Sequence, residues 1–94
     1  MKLTNNFVVV LESESQLMID LISSLRLDNK IITFDSIPSL IPLLFLEPDL
    51  IILDSTEKAL ELEVYLKENH LHIKHLVISS KDQLDTVQNT IASL

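Results

Sequence analysis

Ninety-four residues, 47% hydrophobic and 22% charged, make one small globular domain with a single core and little stability to spare. A formal net charge of −7, with Arg26 as the single arginine, argues against a phosphate-binding surface for nucleic acid. The absence of cysteine and glycine removes disulfides, thiolate zinc sites, Walker loops, dinucleotide fingerprints and strained serine elbows together.

The start, Met1-Lys2-Leu3-Thr4-Asn5-Asn6, carries no signal-peptide core, and no apolar run nears the ~20 residues of a membrane helix. A cytoplasmic protein with no membrane contact is expected. Phe7-Val8-Val9-Val10-Leu11 is a β-branched run that predicts a first buried strand. After Glu12-Ser13-Glu14-Ser15, the residues Leu17, Met18, Leu21, Ile22 and Leu25 fall at helical spacing, with Ser13 or Ser15 available as the cap. A turn through Asp28-Asn29 leads to a second strand, Ile31-Ile32-Thr33-Phe34. Without glycine, left-handed positions should fall to Asp28, Asn29 and Asn69, the residue types that tolerate them best.

The apolar stretch from Leu40 to Leu46 contains Pro42. A helix capped by Ser39 places that proline in the first turn, where its missing N–H costs little, so a start near Leu40 is expected. A start at Ser36 would leave Pro42 in the helix interior and require a kink.

Pro48-Asp49-Leu50-Ile51-Ile52-Leu53-Asp54-Ser55 is the clearest stretch of the chain. Four apolar residues without alternation suit a strand buried on both faces, and Asp54 then stands at its carboxyl end. Open α/β sheets bind their ligands at that end. Ser55 or Thr56 can cap a third helix whose stripe is Ala59, Leu62 and Leu66, with Tyr65 half-buried and Glu57, Glu61, Glu63 and Glu68 on the wet face. His75-Leu76-Val77-Ile78 predicts a fourth strand. Ser80-Lys81-Asp82-Gln83 fits a capping box before a last helix with Leu84, Val87, Ile91 and Leu94 on one face. The order βαβαβαβα implies a parallel sheet with right-handed crossovers.

In this order, Val8-Val9-Val10-Leu11-Glu12, the Pro48–Asp54 stretch and Leu76-Val77-Ile78-Ser79-Ser80 resemble the receiver domain of bacterial response regulators, over nearly the whole chain. The resemblance implies a flavodoxin-like three-layer α/β sandwich with a parallel four-stranded sheet, order 2-1-3-4, lacking the fifth β/α pair. It makes Asp54 the phosphoacceptor candidate and Ser79 the switch hydroxyl. Glu12 and Asp54 become the candidate Mg²⁺ ligands. The family's second acid after strand one is Ser13 here, the lysine that ends its fifth strand has no counterpart, and the loop after Asp54 is shortened. Mg²⁺ prefers carboxylate oxygens, and phosphoryl transfer rests on positioning and charge neutralisation, so these departures point to a degenerate site. Glu14 compensates for Ser13 only if its loop turns inward. Asp54 could instead cap the next helix, and Ser79 could simply satisfy local backbone groups.

His70, His72 and His75 match no recognised metal spacing and read as solvated turn residues. Without a fifth strand, strand four becomes an edge, and the face made by Leu84, Val87, Ile91 and Leu94 becomes an interaction surface. The chain is then either part of a longer regulator or a small protein that hides this surface by self-association or against a partner. The preferred expectation is a non-enzymatic pseudo-receiver acting by protein–protein contact or dimerisation in signalling or transcriptional control, without a cofactor. The alternative is a working receiver that takes a phosphoryl group from a histidine kinase on Asp54 with Mg²⁺. A small-molecule-binding module has no polar constellation in its favour.

Overall fold

A computed structural model describes residues 7–26 and 30–93. The turn expected at Asp28-Asn29 and the last stripe residue, Leu94, lie outside the described residues. Four strands alternate with four helices: β1 (Phe7–Leu11), α1 (Gln16–Leu25), β2 (Lys30–Phe34), α2 (Ile37–Leu44), β3 (Leu50–Leu53), α3 (Thr56–Glu68), β4 (His75–Val77) and α4 (Leu84–Ala92). A 3-10 turn, Lys81–Gln83, leads into α4. Every strand pairing is parallel and the order is β2-β1-β3-β4, consistent with a flavodoxin-like α/β fold. No helix of the described residues is long and apolar enough to cross a membrane.

The unalternated apolar runs go to the middle of the sheet. Val8, Val9 and Val10 in β1 and all four residues of β3 are 0% exposed, so both faces of these strands are covered. A right-handed β1-α1-β2 crossover and the β2-α2-β3 crossover run in opposite directions, which puts α1 and α2 on opposite faces of the sheet. α2 packs beside α3, giving one helical layer. On the other face, Gln88 of α4 donates from Nε2 to Ser24 Oγ of α1 at 3.4 Å, which places α4 beside α1.

That placement overturns the free apolar face expected of the last helix. Val87 is 0% and Ile91 8% exposed, Leu84 is half-buried, and all three belong to the core or pack against it. Had α4 led to a fifth parallel strand beside β4, a right-handed crossover would have put it with α2 and α3. It crosses to the α1 face instead and buries its stripe against the core.

α2 also departs from expectation. It begins at Ile37, not near Leu40, with Ser36 as N-cap. Ser36 Oγ accepts from the Ser39 N–H while Ser39 Oγ accepts from the Ser36 N–H, a reciprocal box made by two serines. Pro38 falls in the first turn and costs little there, but Pro42 lies inside the helix. The carbonyl that Pro42 cannot engage belongs to Pro38, and both prolines are exposed, so water can satisfy it.

Among the described residues the left-handed positions fall on Glu47 and His70, each with φ of 55°, whereas Asn69 has φ of −104°. His70 is the residue after the α3 cap. The N–H of Leu71 reaches back to the carbonyl of Leu66 at 2.9 Å, and His70 N–H to that of Lys67 at 3.3 Å. Such a pair of bonds closes a helix end and demands a left-handed residue at His70, so position in the motif outweighs residue preference.

Candidate functional site at the strand ends

The parallel sheet brings the carboxyl ends of β1, β3 and β4 to one rim, and with them Glu12, Ser13, Asp54 and Ser79. Asp54 is half-buried, and its Oδ2 accepts a hydrogen bond from Ser13 Oγ at 3.0 Å. Ser13 Oγ in turn accepts from the Ser15 N–H at 3.2 Å, so the hydroxyl is held from both sides. Ser15 caps α1 by accepting from the Met18 N–H at 3.1 Å, which ties the loop to the helix. Ser13 stands where the resemblance expects a second acid. Here it supplies a proton donor to Asp54.

Glu12 goes the other way. Its N–H donates to Phe34 O at 2.7 Å, and its Oε2 accepts from Thr33 Oγ1 at 3.5 Å. Because β2 and β3 flank β1 on opposite sides, Glu12 leans toward one neighbour and Asp54 belongs to the other. Glu14 is exposed and lines, with Glu12, Arg26 and Thr33, a shallow cavity of about 360 Å³ along α1. The inward turn that could have replaced the missing acid is absent from these residues.

Ser79 is held locally. Its N–H and its hydroxyl both donate to Gln83 Oε1, the hydroxyl at 3.1 Å, and the Ser80 N–H joins them at 3.2 Å. The Gln83 half of the expected capping box therefore forms and captures Ser79 as well. Ser55 caps α3, with its Oγ accepting from the Lys58 N–H at 3.3 Å, so that task does not fall to Asp54.

A hard cation such as Mg²⁺ asks for several oxygen ligands in near-octahedral array. The residues present do not fit it. One carboxylate receives a hydroxyl proton, the other is held against β2, and the described residues contain no group of three or more His, Asp or Glu side chains able to hold one metal.

Sequence reasoning marked Ser13 as a possible cap and a missing acid and Gln83 as a cap, not as the partners of Asp54 and Ser79. It also treated the histidines as solvated. They line one cavity of about 390 Å³ with Glu63, Leu66, Lys67 and Leu71, and His75 Nε2 lies 3.0 Å from Glu63 Oε1. Thus β4 is tied to α3 by a pair twelve residues apart, which no local periodicity reveals. Comparison of the chain with protein-family models, curated proteins and solved structures finds no match in any of the three.

Proposed function

We propose that this chain is a pseudo-receiver: a receiver-like domain that acts in signalling or transcriptional control through protein–protein contact, without phosphoryl transfer. The observation that carries the reading is the Ser13–Asp54 hydrogen bond at the carboxyl end of a central strand. A carboxylate in that place has the position of an acceptor. A hydroxyl donated to it draws on the same lone pairs that attack on a phosphoryl centre would use, and the described residues gather no group of three or more acids and histidines around a cation. The separate ties of Glu12 to Thr33 and of Ser79 to Gln83 support the same reading.

The chemistry left at this rim is that of structure. Ser13 links the β1 end to the β3 end, Ser55 caps α3, and Gln83 gathers the loop after β4. Such a rim is rigidly tied without containing a turnover site. Function then rests on the surfaces of the sheet and helices.

Intact-mass measurement tests the proposal. The protein is incubated with Mg²⁺ and a small acyl-phosphate donor, alongside Asp54→Asn. Neither sample is expected to gain mass. A phosphoryl-sized increment in the wild type, absent from the variant, would establish the alternative of a working phosphoacceptor at Asp54.

A further inference from the structure

β4 is an edge strand, and its unpaired side has a definite pattern. Ile51 N–H donates to Lys74 O at 3.0 Å and Ile78 N–H to Leu53 O at 2.9 Å, so residues 74, 76 and 78 turn their backbone groups toward β3. By the alternation of a strand, His75 and Val77 turn theirs away. Among the described residues those two N–H and two C=O groups meet no partner. Leu76 and Val77 are half-buried, which leaves apolar surface beside them. The opposite edge differs: β2 starts at exposed Lys30, a charge of the kind that blunts edge pairing.

We propose that β4 pairs with β4 of a second copy of this chain, antiparallel about a two-fold axis, to make a continuous eight-stranded sheet. This rests on reading the chain as a contact module and names the surface and the partner. The register follows from the free groups. His75 of one copy exchanges both backbone hydrogen bonds with Val77 of the other, the symmetric pair does the same, and Leu76 meets its own copy at the axis. All four free groups are thereby satisfied.

The pattern itself favours a second copy in this orientation. Each copy offers the same two outward residues, His75 and Val77, spaced symmetrically about Leu76, so antiparallel pairing matches the free groups one for one. A parallel arrangement could not close on two-fold symmetry. The seam is only three residues long, so the dimer is expected to be in exchange with monomer.

The chain has no cysteine, so Leu76→Cys introduces a single thiol at the axis. Facing residues of a non-hydrogen-bonded antiparallel pair lie about 4.5 Å apart at Cα, within reach of a disulfide. Under mild oxidation Leu76→Cys is expected to cross-link to dimer, whereas Ile32→Cys, central in β2, is expected to remain monomeric. Val77→Pro removes one outward N–H and no bond to β3, so it should weaken the dimer at least tenfold in sedimentation while the circular dichroism of the fold persists. The proposal is overturned by a wild-type monomer at about 100 µM, where mass action favours association. It is equally overturned by cross-linking at Ile32→Cys in preference to Leu76→Cys. Either result leaves the phosphorylation test untouched, and a phosphoryl increment there would leave the edge pairing to stand or fall on these measurements.

Discussion

The body of the sheet and its rim obey different rules. In β1 and β3, seven consecutive-in-space positions, Val8, Val9, Val10 and Leu50 to Leu53, are 0% exposed, and burial is the same whichever way a side chain points. Just past each strand end, at Glu12 and Asp54, each side chain has its own partner on its own side of β1. The body is held by non-directional apolar burial, which tolerates imprecision and adds over many residues. The rim is held by single directional bonds, such as the one Ser13 gives Asp54, where one change of residue removes the tie.

The largest expected effect lies in the body. Ile52→Ala removes a fully buried side chain from the central strand and is expected to cost roughly 2–5 kcal/mol, seen as a fall in the urea midpoint. A domain of this size holds little in reserve, so the variant should be largely unfolded at room temperature. An unchanged midpoint would show that β3 is not the centre of the core.

A smaller effect is expected at the rim. Asp54→Ala loses the Ser13 hydrogen bond at a half-buried site and should cost about 1 kcal/mol. A double-mutant cycle with Ser13→Ala isolates the pair, and the coupling should account for most of that loss. Additive single effects would mean that the two side chains act independently and that the rim is not tied as described.

The smallest effect runs the other way. His70 holds a left-handed φ that glycine adopts without steric cost, so His70→Gly should stabilise by about 0.5–1 kcal/mol, measurable as a small rise in melting temperature. If the melting temperature falls, contacts of His70 in the histidine-lined cavity outweigh backbone relief.

Much of this was legible beforehand, for identifiable reasons. The runs Phe7 to Leu11 and Leu50 to Leu53, separated by amphipathic segments, carry their strand assignment in composition alone, and Ala59, Leu62 and Leu66 carry the α3 stripe in spacing alone. The α2 start was misread because Pro42 was weighed as a helix breaker while the Ser36–Ser39 box went unseen. A capping box is usually read from Ser or Thr followed by Glu or Gln, and a second serine in the third position is a weak signal. Of the rim, the place of Asp54 was foreseen from its strand and those of Glu12 and Ser79 from the resemblance, but not their partners.

The amino-acid sequence by itself determined the alternation of strands and helices and which of them are buried, because period and apolar run length are local properties of the chain. Only tertiary structure decided that α4 lies beside α1, that Ser13 bonds Asp54 from 41 positions away in the chain, and that His75 reaches Glu63. Those outcomes depend on where the chain turns after each strand, and a directional bond forms only once both partners have been delivered to the same place.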